Sequence, residues 1–515
     1  MTASANAASY FVDRHSQERP DKIAFREAAG EKRSLSYGQL AKDSSVIAGA
    51  LNRAGIPREA RVAMLVLDQI EFPQIFWGAL KFGAVPVPLN TLLATPVYET
   101  ILRDSRATAL FVSAELWPVV KAAAQAAPDL LHIVVIGDEA PEGTTGFVDF
   151  HTGADPIEAV FCSKDETAFW LYSSGSTGLP KGVCHVHGAL RATAETYGAQ
   201  VLQLTENDVV FSVAKLFFAY GLGNAMSMPM AVGATTVLLN GRPTPEGVLD
   251  ILEAEQPTVF CGVPTLYAAT LAQLEMVMKP NTPLRCCISA GEALPKDVGR
   301  KWRELWGVDI LDGVGSTEML HIFLSNAPGD VVYGTSGVAV PGYQLRLVDE
   351  TGTEVAQGEI GELLVRGDSA ADGYWNQRDK SRATFEGEWT RTGDKYERDA
   401  QGRYIYCGRT DDMFKVSGIW LSPFEVEQAL VAHPAVLEAA VVSARDSEGL
   451  EKPKAFIVLK EGVASPELAA ELKAYVKDKI GKWKYPRWIE FAEDLPKTAT
   501  GKIQRFKLRG ESDAA

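Results

Sequence analysis

Residues 172–182 read YSSGSTGLPKG, and this stretch holds almost nothing that could fill a hydrophobic core. Glycine loses more backbone freedom on folding than any other residue, so Gly175, Gly178 and Gly182 weaken the fold unless something must approach the backbone closely. The visitor that this composition suits is a phosphate chain. Glycines expose amide N–H groups, Ser173, Ser174, Ser176 and Thr177 add hydroxyls, and Lys181 adds a charge that can reach several phosphate oxygens.

The stretch sits between AFWLYSS (168–174), which reads as a strand, and GVCHVH (182–187), which reads as an extended segment leaving it. The loop therefore lies at a strand end, where α/β proteins place ligands. From about residue 35 to 350, short apolar runs alternate with helical periodicity, the signature of βαβ units and largely parallel sheets. Residues 62–89 are the most apolar, but Asp68, Glu71, Lys81 and three prolines interrupt them, so they read as buried βαβ core and not as a membrane span.

After Gly358 the chain turns rich in Gly, Asp and aromatic residues, as a small antiparallel β subdomain would be. Beyond Asp411 a fresh start is expected. SPFE (422–425) is a capping box, with Ser at N-cap, Pro at N1 and Glu at N3. Two strands and a helix follow, the helix with Leu468, Leu472, Val476 and Ile480 as an inward stripe. The expected fold class is thus α/β, with a large N-terminal domain of βαβ subdomains plus the small β subdomain (1–410) and a small mobile α+β C-terminal domain (411–515).

Composition narrows the function. The 515 residues carry a net charge of −15, which argues against wrapping the backbone of a nucleic acid. The first twenty residues lack the basic start and apolar run of a secretory signal. Six cysteines without CxxC spacing fit reduced, buried thiols in a cytoplasmic protein. His185 and His187 have no third ligand nearby in sequence, so packing is expected of them and not metal binding.

The glycine loop is not the usual P-loop. That pattern needs GxxxxGK followed by Ser or Thr, whereas here Lys181 precedes its glycine and no hydroxyl follows. A GxGxxG dinucleotide fingerprint is absent too. YSSGSTGLPKG instead resembles the phosphate loop of the adenylate-forming superfamily, and further motifs follow in order: SAGEAL (289–294), DGVGSTE (312–318), RTGD (391–394), GRTDDMFKVSG (408–418) and PKTATGKIQR (496–505). The resemblance covers essentially the whole chain.

It implies a chemistry with a clear physical difficulty. A carboxylate becomes reactive when it attacks the α-phosphate of ATP, but two unit charges 4 Å apart repel by about 4 kcal/mol at an effective dielectric of 20. Fixed donors, lysines and Mg²⁺ must neutralise the site. By resemblance, Ser173, Ser174, Gly175, Ser176, Thr177, Gly178 and Lys181 hold the β and γ phosphates, Thr317 meets the α-phosphate and Glu318 binds Mg²⁺. Asp394 and Arg409 clasp the ribose, and Gly291, Glu292, Asp312 and Gly313 line the adenine side. Lys502 is the expected catalytic lysine of adenylation. Rotation about a hinge at Asp411 then brings Gly418 to the thiol tunnel for coenzyme A.

The stretches 215–226, 315–326 and 408–442 resemble benzoate-CoA ligases in particular. Phe218, Ala219, Tyr220, Gly313, His321 and Ile322 would surround the ring, while Phe217 reads as core. Phe218 stands where many relatives carry histidine, so bulk is kept and polarity is not. An aminobenzoate or hydroxybenzoate ligase would look similar, and loading of a separate carrier protein is a further alternative acceptor. The implied partners are an aromatic acid, ATP and CoA. No nucleic acid or membrane is expected, and a homodimer is left open.

Overall fold

The computed structural model describes residues 4–174, 180–274, 277–416, 419–446, 450–460, 462, 464–481, 484–497 and 503–512. It divides into two compact units, Met1–Leu345 with Val365–Arg391, and Arg346–Leu364 with Thr392–Ala515. Packing therefore draws its boundaries elsewhere than at residue 410. Much of the small β segment groups with the C-terminal residues because its strands pair with one another, as Trp389–Arg398 does with Tyr404–Arg409.

In the first unit, a nine-stranded sheet has Ile310–Gly315, Cys286–Ser289, Val259–Gly262, Val209–Ser212, Thr235–Leu238 and Ile23–Glu27 running parallel in that spatial order. Antiparallel strands complete it, Ile322–Ser325 followed by Val338–Ala339 on one side and Ser34–Ser36 on the other. A second, all-parallel sheet has the order Val85–Pro88, Arg61–Leu65, Ala109–Ser113, His132–Ile136, Thr145–Gly146. Such strands are near-continuous apolar runs because both faces are covered. The sequence expectation of a βαβ unit over 62–89 holds: strand Arg61–Leu65, helix Glu71–Phe82 and strand Val85–Pro88 follow each other.

Every residue of helix Glu71–Phe82 is buried, its two charges included. Burial of a charge is tolerated only with partners. Lys81 Nζ meets Asp13 Oδ1 at 2.6 Å, Ser45 Oγ at 2.9 Å and the Ala41 carbonyl at 3.0 Å; Glu71 receives Arg33 at 2.6 Å. Two of the charges that broke the apolar run in sequence, Glu71 and Lys81, are thus held in ion pairs. Among the described residues no helix is long and apolar enough to cross a membrane.

The six cysteines are free, five of them buried. His185 stacks on Phe169 with centroids 5.0 Å apart, and His187 Nδ1 accepts the Ala7 amide at 3.2 Å, so both pack as expected.

In the second unit, Val436–Arg445 pairs antiparallel with Glu451–Leu459, which pairs parallel with Trp488–Phe491. Val426, Leu430, Val441, Ile457, Leu472 and Val476 form its core, with Leu468 and Ile480 packed against them. Ser422 Oγ caps helix Pro423–Val431 by accepting the Glu425 amide at 3.1 Å. The Glu425 carboxylate itself turns to Lys484, at 2.6 Å, in place of closing the capping box. Buried Glu427 holds Arg505 at 2.7 and 3.0 Å, and Arg505 also reaches Asp412 at 3.3 Å.

One glycine marks how closely the first unit packs. Gly49 lies inside helix Tyr37–Arg53, and a Cβ there would come within 1.8 Å of the Asp155 carbonyl oxygen. Glycine to alanine inside a helix ordinarily gains about 1 kcal/mol. Here the clash should reverse the sign, and Gly49→Ala should cost about 2 kcal/mol in denaturant unfolding. Gly241→Ala, with open space around it, should be close to neutral. Equal stability of the two variants would contradict this packing.

Candidate functional site

The glycine-rich stretch joins two strands of an antiparallel hairpin, Thr167–Ser174 and Pro180–Val186, in a register that sets Ser173 opposite Lys181 and Tyr172 opposite Gly182. Tyr172 anchors it by donating to Asp104 Oδ2 at 2.5 Å, and Ser173 Oγ is buried with no hydrogen-bond partner among the described residues. Gly175, Ser176, Thr177 and Gly178 lie outside the described residues, as do Gly418 and Lys502.

Lys181 is brought to Glu318 by the fold of the first unit. Its Nζ lies 2.9 Å from Glu318 Oε1 and 2.9 Å from Tyr374 Oη, and the Tyr374 hydroxyl donates to the same Glu318 oxygen at 2.8 Å. Burial works against the charge on Lys181, but Glu318 and Tyr374 outweigh it and leave the ammonium raised. Burial likewise opposes the Glu318 carboxylate, and Lys181 holds it below the usual range. Tyr374 was not legible in sequence. It arrives because Gly373–Tyr374 adds a third strand beside Pro180–Val186, an alignment that no local pattern announces.

Glu318 stands on the connection between Ile310–Gly315 and Ile322–Ser325. The Glu318 carbonyl accepts the Ala371 amide at 2.8 Å, and Ser316 Oγ accepts the Met319 amide at 3.2 Å. Leu320 has φ +64°, the left-handed region that a branched side chain rarely adopts. Thr317, half-buried, is next to Glu318 in this turn.

Asp312 pairs in register with Ser289, whose strand leads into Gly291 and Glu292. These three expected adenine-side residues thus gather at neighbouring strand ends of the parallel sheet. Burial pushes the Asp312 carboxyl up to about 8, with the Leu294 amide opposing, and its Oδ1 has no partner among the described residues.

The aromatic wall is also assembled within this unit. Phe217 is buried, as expected of core, whereas Phe218, Ala219 and Tyr220 are half-buried. The Tyr220 hydroxyl donates to the carbonyls of Gly262 and Ile288, at 3.1 and 3.2 Å. His321 is buried between Tyr197 and Tyr220, with centroids 5.5 and 5.8 Å away. Room for its ring depends on Gly223, where a Cβ would lie 2.2 Å from His321 Cδ2. Gly313 likewise makes room for Ile322, whose Cδ1 would be 2.8 Å from an added Cβ.

Burial pushes the His321 imidazole down to about 3, so the ring is neutral. The Tyr220 carbonyl, 3.3 Å from Nε2, requires the proton there. Nδ1 is then a buried acceptor without a partner among the described residues. Tyr197, a neighbour of this histidine, is a residue that sequence reading did not select.

In the second unit, Asp394 and Arg409 face each other across two strands. Arg409 Nη1 donates to Asp394 Oδ1 and to the Thr392 carbonyl, both at 3.0 Å. Burial disfavours the Arg409 charge, but Asp394 and Tyr406 raise its affinity for the proton. Asp411 is exposed.

A family model described as AMP-binding enzyme matches residues 12–375, and one described as AMP-binding enzyme C-terminal domain matches residues 425–502. The chain belongs to the AMP-binding enzyme family. Within it, the chain is 54% identical over 513 residues to a 4-hydroxybenzoate–CoA/benzoate–CoA ligase of Rhodopseudomonas palustris, covering 98% of this chain and 94% of that one. Its structure resembles a benzoate CoA ligase from Burkholderia xenovorans LB400, at TM-score 0.90 and 47% identity over 98% of this chain and 99% of that one. It also resembles an anthranilate CoA ligase in complex with anthranoyl-AMP, at TM-score 0.94 and 44% identity over 100% and 98%.

The Lys181–Glu318 pair generates a pH test. A carboxyl that titrates lower in the folded chain contributes fully above its ordinary value of 4.5 and loses that contribution as pH falls through the lowered value. Lys181, raised, contributes fully below 10.5 and loses its part as pH rises through the folded value. Denaturant unfolding at graded pH should therefore show wild type losing stability below pH 4.5 relative to Glu318→Gln. Parallel curves for the two proteins on the acid side would contradict the pair.

Proposed function

We propose that this enzyme ligates an aromatic carboxylate, benzoate first, to coenzyme A through an acyl-adenylate, with release of AMP and pyrophosphate. The observation that carries the proposal is the presence, within one unit, of the buried ion pair Lys181–Glu318 and a wall formed by Tyr220, His321 and Ile322. A neutral, flat wall suits an uncharged ring, and the likeness to ligases named for benzoate runs nearly full length.

Each side chain then has a task. Ser173, Ser174, Gly175, Ser176, Thr177, Gly178 and Lys181 bind the β and γ phosphates, and Thr317 orients the α-phosphate. Glu318 is a single carboxylate, and among the described residues no group of three metal-binding side chains gathers. That donor set fits Mg²⁺, which takes one or two carboxylates and completes its shell with phosphate oxygens and water. Glu318 would hold the ion, and the ion would supply charge neutralisation to the phosphates. Asp312, with its unpartnered oxygen, faces the adenine side with Gly291, Glu292 and Gly313. Asp394 and Arg409 bind the ribose hydroxyls.

The role of Lys502, neutralising the attacking carboxylate and the α-phosphate together, rests on the motif match alone, as does that of Gly418 at the thiol. A hinge at Asp411 would withdraw Lys502 after adenylation and let one pocket host two half-reactions. We place the reaction in the cytoplasm, consistent with six free thiols. A second reading, a preference for 2-aminobenzoate or a hydroxybenzoate, is favoured by the buried His321 Nδ1, an acceptor that a ring –OH or –NH₂ could satisfy.

Pyrophosphate release with ATP and Mg²⁺ should be fastest on benzoate and accelerated by CoA, against 2-aminobenzoate, 4-hydroxybenzoate, cyclohexanecarboxylate and octanoate. Fastest turnover on octanoate would remove the aromatic reading; indifference to CoA would point to a carrier-protein acceptor. Lys502→Ala should slow adenylation about a hundredfold or more while thiolysis of supplied benzoyl-AMP stays largely intact. Equal loss of both half-reactions would contradict the division of labour.

A further inference from the structure

Asp68 lies between strand Arg61–Leu65 and helix Glu71–Phe82, 4% exposed, and belongs to the five-stranded sheet region. Its two carboxylate oxygens accept the Leu216 amide at 3.2 and 3.3 Å, a contact spanning 148 positions of sequence. Among the described residues no other hydrogen-bond donor meets this carboxylate. Burial pushes its carboxyl up to about 6, with Lys215 and the Leu216 amide opposing. A buried charge with so little compensation is expensive, so a purely space-filling role would be better served by an uncharged residue.

Leu216 opens the turn that carries the aromatic wall. The Phe218 amide returns to the Lys215 carbonyl at 3.0 Å, and the Leu222 amide to the Phe218 carbonyl at 2.7 Å. The turn passes so close to Gly221 that a Cβ there would sit 2.0 Å from the Lys215 carbonyl oxygen. Three anchors hold this segment. Lys215 Nζ donates to the Leu239 and Gly241 carbonyls beyond the end of strand Thr235–Leu238, and the Tyr220 hydroxyl donates to the ends of two further strands of the nine-stranded sheet. Asp68 is the anchor that comes from the other sheet.

We propose that Asp68 is a positioning residue for the acyl pocket: reaching from the five-stranded sheet, it fixes the backbone at Leu216 and with it the placement of Phe218, Ala219 and Tyr220 against the ring of the substrate. The inference rests on the reading of these three residues as the acyl wall. Asp68 touches no substrate in this account and acts only through the turn.

The test is steady-state kinetics on the full-length enzyme with benzoate, ATP, Mg²⁺ and CoA. Asp68→Ala should raise KM for benzoate about tenfold, with KM for ATP nearly unchanged, because a small displacement of a wall costs alignment of the acid alone. Asp68→Asn, which keeps an acceptor oxygen, should restore most of the benzoate KM. An unchanged benzoate KM in Asp68→Ala would overturn the inference, as would equal rises for benzoate and ATP that Asp68→Asn does not rescue. Should Asp68→Ala not fold, Asp68→Ser, polar but too short to hold Leu216, carries the same expectation. Ala219→Leu separates the two claims. If it leaves the benzoate KM unchanged, the wall reading fails and the inference with it; if it raises that KM while Asp68→Ala does not, only the role of Asp68 fails.

Discussion

The ion pair between Lys181 and Glu318 is the constraint around which the first unit is organised. Burial opposes the charge on each partner, and together with the Tyr374 hydroxyl they hold each other ionised. The pair also fixes geometry. Lys181 stands on a hairpin strand and Glu318 on the connection between Ile310–Gly315 and Ile322–Ser325, so one contact at 2.9 Å ties the hairpin to the strand that carries Asp312. Lys181 is thereby held ionised and in place, so its ammonium is preorganised for an anionic substrate.

Around that pair, the fold spends backbone freedom where it must bring atoms close. Gly223 and Gly313 make room for His321 and Ile322, and Leu320 accepts a left-handed backbone next to Glu318. These positions flank residues proposed to touch substrate. The wall is neutral because His321 is too deeply buried to carry a proton at both nitrogens. A neutral wall adds no charge beside the ring, so attraction for anions stays with Lys181.

Much of this was legible in sequence because the signals are local. The alternation of apolar runs with helical periodicity announced the parallel sheets, the broken apolar run at 62–89 announced a buried βαβ unit, and Ser422-Pro423 announced a helix start that the structure contains. What escaped depends on partners far apart in the chain. Tyr374 reaches Lys181 across 193 positions and Asp68 reaches Leu216 across 148, contacts set by strand alignment and not by any pattern a short window holds. Glu425 had the right type and spacing to close a capping box, yet a lysine made available by tertiary folding drew it away. The grouping of Arg346–Leu364 with Thr392–Ala515 likewise joins segments that are apart in the chain.

The account stands on the formation of an acyl-adenylate, and isotope transfer tests that step directly. With benzoate carrying ¹⁸O in both carboxylate positions, one labelled oxygen should appear in the phosphate of the AMP released, because the carboxylate oxygen that attacks the α-phosphate leaves with it when the thiol displaces AMP. Recovery of unlabelled AMP, or of ADP with labelled inorganic phosphate, would contradict the account.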